Sequence, residues 1–388
     1  MSAPSQRLQL SGLIALGTAG FVTILTEALP AGLLPQIGSG LGVSEALAGQ
    51  WVSVYALGSL AAAIPLTAAT RQWRRRPLLL AAILGFAIAN AVTAITGNFL
   101  VSLAGRFIGG VSAGLLWALL AGYAVRLAPE QLAGRAMAIA MAGTPLALSI
   151  GIPAGTALGH LTDWRIAFMA LSGMALALAG WMAMHLPDFP GEEAVDRPSL
   201  GQVLTLPGVR PVLLLTLCFV LAHNILYTYI APLLARADLA DQTDRVLLAF
   251  GIAGLVSIVV TGVLIDRHLR LLTGLCILLF AGGAILFGTE STPFAIYTAT
   301  LIWGLGFGGA ATLFQTASAR AAGDAADVAQ AMIVTAWNLA IAGGAVLGGA
   351  MLDGLGAEWL PWAAVALLAL AAVLQAMSSA RRFTKNTA

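Results

Sequence analysis

Apolar residues run along this chain in long, nearly unbroken stretches separated by short polar breaks, at 10–34, 47–69, 77–96, 99–124, 134–158, 165–185, 211–235, 246–265, 271–288, 294–319, 328–352 and 360–379. A hydrocarbon core about 30 Å thick takes roughly 20 residues of α-helix, so each stretch is long enough to cross a bilayer. The runs do not alternate with period two, which excludes a membrane β-barrel. They predict an all-α integral membrane protein of twelve transmembrane helices, because only a helix satisfies its own backbone groups inside lipid. The first stretch extends past signal-peptide length and reaches "TEALPAGLLP" without a small-residue cleavage pattern, so it reads as the first span.

Composition agrees: 59% of the 388 residues are hydrophobic and 9% are charged, against about 25% charged in an ordinary soluble domain. The formal charge of +2 is too small to suggest nucleic-acid binding. Cys218 and Cys276, the two cysteines, each lie in an apolar stretch and read as small packing residues, with no disulfide framework, metal site or cofactor implied.

Where the basic residues fall sets the orientation. With the N-terminus in the cytoplasm, the inner loops receive Arg7, the cluster Arg71 to Arg76, Arg126, Arg135, Arg197, Arg210, Arg267, Arg270, Arg320, Arg381, Arg382 and Lys385. The outer side receives only Arg165, Arg236 and Arg245. Both termini are therefore expected in the cytoplasm. The longest polar interruption, 187–210, divides the chain into an N-terminal six-helix bundle (1–186), a cytoplasmic linker (187–210) and a C-terminal six-helix bundle (211–388). The halves echo one another at a constant offset of 195, which places Gly109 on Gly304, Gly114 on Gly309, Gly159 on Gly354 and Trp164 on Trp359. Shared register and six spans apiece point to two pseudo-symmetric repeats related by an axis along the membrane normal.

Several motifs resemble those of the major facilitator superfamily, over essentially the whole chain. "GVLIDRHLR" (262–270) is similar to that family's signature loop, whereas the matching first-half loop, "TAATRQWRRRP" (67–77), keeps the basic cluster and lacks the aspartate. "GRFIGGVSAG" in the fourth span and "DWRIAF" opening the sixth are family-like. "GTPLALSIGIPAGTALG" in the fifth resembles the antiporter motif of exporters, carried by Gly151, Pro153 and Gly155, with Ile152 where a glycine would precede the proline. "TEALPAGLLPQI" and "YTYIAPLL" resemble the bacterial drug, sugar and purine-nucleoside efflux subgroup. The resemblance implies a multi-pass protein of the cytoplasmic membrane, not an enzyme, that exports a small organic molecule in exchange for protons by alternating access. A proton-coupled nutrient importer of the same fold is the alternative. Small molecule, protons and bilayer are the expected partners, and a monomer is the expected state.

Proton coupling needs a titratable group inside the membrane. Of the 17 acidic residues, Glu27 alone lies well inside a span, and Arg106 is the only basic residue at comparable depth. Both sit about 10 Å below the outer surface at 1.5 Å per residue, so the guanidinium is expected to meet the ionised carboxylate and release it on protonation. A purely structural ion pair is the competing reading. In the seventh span Asn224, Tyr227 and Thr228 share a helical face, with His223 beside Tyr227, and a polar aromatic face suits a pocket for a small polar molecule. Trp117, Trp337 and Asn338 are candidate lining residues from other spans, with ordinary core or lipid-facing packing as the alternative. Asp266, Arg267 and Arg270 are candidate gating charges, whereas the cluster Arg71 to Arg76 reads first as a topology signal.

Overall fold

The computed structural model describes residues 9–63, 65–70, 72–129, 132–191 and 200–383, and among these no strand forms. The helices are α1 (Leu10–Gly32), α2 (Leu34–Leu41), α3 (Glu45–Ala63), α4 (Pro65–Ala69), α5 (Arg75–Ile95), α6 (Phe99–Arg126), α7 (Ala133–Met141), α8 (Gly143–Leu146), α9 (Ile152–Leu161) and α10 (Trp164–His185). There follow α11 (Leu200–Thr205), α12 (Val209–Thr228), α13 (Ile230–Ala235), α14 (Thr243–Thr289), α15 (Pro293–Phe307), α16 (Ala310–Ala322), α17 (Ala326–Gly354) and α18 (Leu360–Phe383). Among the described residues, eleven helical segments are long and apolar enough to cross a membrane. The expected span 47–69 is not among them: it is described as α3 and α4, on either side of residue 64, which lies outside the described residues. The loop expected after the eighth span shrinks to a break at His268 (φ −130°, ψ 25°) within α14.

Two compact units result, one comprising 1–44 and 50–194, the other 45–49 and 195–388. Much of the segment expected to link them is tied down. In the first unit Arg75 N–H donates to the Phe189 carbonyl (2.9 Å) and Arg126 Nη1 to that of Pro190 (3.0 Å). In the second, α11 packs Val203 into a small apolar cluster with Val209, Val328 and Ala329. Residues 192–199, with Glu192, Glu193, Asp196 and Arg197, lie outside the described residues.

Lipid is as apolar as a leucine side chain, so close packing rather than burial from water must hold these helices together. Glycine provides it where α1 meets the fifth expected span. A Cβ on Gly143 would run into the Gly17 carbonyl and lie 2.7 Å from the Phe21 nitrogen. One further along, Gly151 faces Leu25, Gly155 faces Leu29 and Gly159 faces Leu33, a ridge of leucines four residues apart set into a groove of glycines at the same spacing. The i, i+4 rows of the two helices thus run in register. Pro153 interrupts this span. It removes the N–H that would meet the Ser149 carbonyl, and the ladder widens into a π-helical turn over Ala147–Gly151. The exporter-like glycines are therefore a seat for α1, the helix that carries Glu27.

The second unit repeats the device. Gly344 of α17 packs against Asn224 and the Leu221 carbonyl of α12, and Gly348 against Tyr229. Between α14 and α15, Gly304 lies under the Phe250 carbonyl and Gly308 beside Gly254, as Gly110 lies under the Tyr55 carbonyl between α6 and α3. Gly143→Val is expected to cost at least about 1–3 kcal/mol, because backbone cannot yield to the added methyls. Gly180→Val, where nothing lies within 4 Å of the added Cβ, is expected to cost little. Thermal midpoints of the two purified proteins compare them directly, and equal midpoints would refute the seat.

Candidate functional site

Pro30 lies inside α1. Having no N–H, it cannot donate to the Thr26 carbonyl four residues earlier, so that buried acceptor needs a donor from elsewhere. Arg106 supplies it. From α6 its Nη1 donates to the Thr26 carbonyl at 2.5 Å, Nη2 to that of Glu27 at 3.2 Å, and Nε to that of Trp51 in α3 at 3.4 Å. The side chain is 1% exposed and its guanidinium carbon lies 4.9 Å from the Tyr55 ring centre. Trp51 and Phe168 rings flank it at 6.0 Å each. A buried guanidinium is thus compensated by carbonyl dipoles and aromatic faces, which offset part of its desolvation.

Sequence reasoning expected the guanidinium on the Glu27 carboxylate. Instead it meets the Glu27 main chain, and among the described residues no ion pair joins the two side chains. The reason is local: a proline-freed carbonyl, that of Thr26, is a fixed acceptor at this depth, on the residue immediately before the acid. Glu27 itself is half-buried rather than sealed. Around this centre the first unit builds a polar shell. Asn90 Nδ2 donates to Thr26 Oγ1 (3.0 Å), Tyr55 Oη to the Thr23 carbonyl (3.2 Å) and Trp51 Nε1 to Ser102 Oγ (2.9 Å). Asn90 Oδ1 is buried without a partner.

The "DWRIAF" residues support the same shell. Asp163 caps α10 by accepting from Arg165 N–H (2.7 Å). Arg165 Nη1 closes the end of α5 through the carbonyls of Ala94 (2.8 Å) and Thr96 (2.6 Å). Trp164 and Phe168 then pack edge-on against Trp51, with centroids 5.6 and 5.7 Å away. Trp117 also belongs to this unit, half-buried near Gly20.

At one end of the unit, Asp188 accepts from Arg74 Nε and, at 3.1 Å, from Arg76 N–H. The carboxylate missing from the 67–77 loop is thus supplied by residues following α10. Desolvation is the largest single influence and pushes this carboxyl up, but the Arg76 N–H together with the Arg74 hydrogen bond and the charges of Arg74 and Arg76 outweighs it and holds the group below the usual range. A group with a depressed folded value contributes stability above its unfolded value and loses it as pH falls through the folded one. Asp188→Asn is therefore expected to lower the thermal midpoint at neutral pH and to converge with the parent protein in acid; a gap independent of pH would count against this tie.

In the second unit His223 sits in an aromatic box. Its ring stacks on Phe307 with centroids 3.5 Å apart and 11° between planes, and Tyr227, Trp303 and Phe250 lie at 5.0, 5.2 and 5.7 Å. His223 Nδ1, Thr228 Oγ1 and Trp303 Nε1 are buried without hydrogen-bond partners. Such groups cost about 1–3 kcal/mol each when left unmet, which is tolerated where a solute supplies the partner. Asn224 and Asn338 turn back on their own helices, to the carbonyls of Val220 (2.9 Å) and Val334 (3.0 Å). Trp337 packs near Phe307 at 6.2 Å.

Of the expected gating charges, Arg267 and Arg270 are exposed on either side of the His268 break, and the Asp266 side chain lies outside the described residues. Among the described residues no cluster of His, Cys, Asp and Glu is arranged to hold a metal ion. Reading by charge missed Trp51, Tyr55, Asn90 and Ser102 around Arg106, Phe250, Trp303 and Phe307 around His223, and Asp188. Pro30 four residues after Thr26 was the available signal for the first group.

Comparison with known proteins agrees with this architecture. The family model of the Major Facilitator Superfamily matches residues 16–342. A chloramphenicol efflux pump of Mycobacterium tuberculosis (strain H37Rv) is 33% identical over 355 residues, 88% of this chain and 86% of that protein. A protein described as a probable sugar efflux transporter of Helicobacter pylori (strain J99) is 27% identical over 370 residues, 94% and 95% of the two chains. In fold the chain is similar to the human organic anion transporter MFSD10 (TETRAN), with a TM-score of 0.68 at 17% identity over 96% of this chain and 100% of that one. Helices of membrane-crossing length, glycine-seated pairs and the family match over most of the chain make this a multi-pass membrane transporter rather than an enzyme: it belongs to the major facilitator superfamily.

Proposed function

We infer that the protein is a proton-coupled exporter of a small organic molecule, with twelve spans in two six-helix bundles, both termini in the cytoplasm, working as a monomer. One observation carries the reading: a half-buried carboxyl group, Glu27, stands beside a cation whose hydrogen bonds go to main-chain carbonyls. The acid is thereby left free to bind and release a proton. In this mechanism Glu27 exchanges protons with one side at a time, while Arg106 holds the proline-broken turn of α1. The solute is taken up along the α12 face, where His223 Nδ1, Thr228 Oγ1 and Trp303 Nε1 lack partners. Asn224, Tyr227, Trp337 and Asn338 belong to the same binding surface, and Trp117 is a candidate solute contact within the first unit. Gly151, Pro153 and Gly155 carry α1 through the cycle, and Asp266, Arg267 and Arg270 act at the membrane edge. Names of relatives favour a chloramphenicol-like or sugar-like solute.

The test begins with resistance profiling of an overexpressing strain against chloramphenicol, sugars and a toxic purine nucleoside. Purified protein in proteoliposomes with an imposed pH gradient then gives the direction. Solute movement opposite to the proton flow is expected. Movement with it would establish import instead, and no response to the gradient would end the proton-coupled reading.

A further inference from the structure

Where α14 breaks at His268, a groove of about 540 Å³ opens between α14 and α18. Its rim carries Arg267, His268 and Arg270, all exposed. Below the rim Leu271, Leu275 and Leu278 line one wall, at 61%, 44% and 66% exposure, an apolar stripe at helical spacing turned outward. From Leu271 to Leu278 this stripe descends about 10 Å at 1.5 Å per residue. Gly274 opens the floor, since a Cβ there would lie 3.3 Å from Gln375 Nε2, and Gln375 ties α18 to α14 by donating to the Arg270 carbonyl (2.8 Å). Among the described residues no carboxylate forms an ion pair with either rim guanidinium.

We propose that this groove is a binding site for an anionic phospholipid, with its phosphate between Arg267 and Arg270 and an acyl chain along the leucine stripe. The chemistry selects this occupant. A guanidinium fork matches phosphate oxygens bidentately, which favours an anion at the rim. The stripe leads from that rim into the hydrocarbon region, so the ligand must be charged at one end and apolar below it; a soluble anion would use the rim and leave the leucines idle. Basic residues at a membrane edge also follow from topology alone, and the site differs from that in joining the two arginines to an outward-facing leucine stripe along one open groove. The inference is independent of which solute is carried and of proton coupling.

Native mass spectrometry of the purified protein, incubated with equal amounts of phosphatidylglycerol and phosphatidylcholine, tests it. The parent protein is expected to retain phosphatidylglycerol preferentially. At about fivefold per basic side chain near the surface, R267Q/R270Q should lose most of that preference, tenfold or more. R267K/R270K should keep a large part, which separates lost charge from lost fold. R210Q/R320Q removes two exposed arginines elsewhere in the same unit and should leave the preference in place. Absence of any preference in the parent protein, its survival in R267Q/R270Q, or an equal fall in both glutamine pairs would overturn the proposal.

Discussion

A Glu27→Gln protein is expected to fold and to let its solute equilibrate across proteoliposomes, but to lose accumulation against a gradient. For a one-to-one exchange each pH unit supplies about 1.4 kcal/mol, or about tenfold in solute ratio, so the parent protein should approach that slope. The glutamine protein should hold a ratio near one at every imposed pH difference. Size and hydrogen-bonding capacity are nearly conserved, and the main-chain contact from Arg106 does not depend on the side chain at position 27. Folded yield should therefore survive. If the substituted protein still concentrates solute with an unchanged pH slope, Glu27 is not the coupling group.

Arg106→Met is expected to be the most damaging single change in the first unit. It withdraws the donor that meets the Thr26 carbonyl, buried where Pro30 cannot, and empties the space between Tyr55, Trp51 and Phe168. An orphaned buried acceptor costs about 1–3 kcal/mol, and loss of dipole and ring contacts adds to it. Arg106→Lys should recover part of the loss, since one ammonium can replace one of the three donors. The distinguishing experiment adds Pro30→Ala, which returns a backbone N–H to the fourth residue after Thr26. In the methionine background it should restore roughly 1 kcal/mol more stability than in the parent, a non-additivity read by a double-mutant cycle. Strict additivity would mean that proline and arginine are unconnected.

The pair illustrates what the chain discloses before it folds. Long apolar runs announce helices because a bilayer admits few alternatives, and ionised residues inside them stand out because they are costly there. Glu27 and Arg106 were legible on that ground, as was their common depth, since helical rise converts sequence distance into position. Which atoms meet was not legible from depth alone, because Arg106 finds its strongest acceptor in the backbone. Asn90, Tyr55 and Trp51 escaped notice because neutral polar and aromatic side chains are common in any span. Asp188 escaped because its partner Arg74 is 114 residues away. The aromatic box of His223 needed α12, α14 and α15 brought together, and helical spacing within one element says nothing of its neighbours.

Three main-chain oxygens around one guanidinium also carry an electrical consequence. On the proposed mechanism that positive charge stays in place through the cycle, so proton arrival turns a balanced environment into a net cationic one. A positively charged drug and a proton would then repel each other at a distance, with no ligand in common. Neutral compounds would escape this antagonism, and comparing matched charged and uncharged analogues under rising acidity would reveal whether the field alone enforces their exchange.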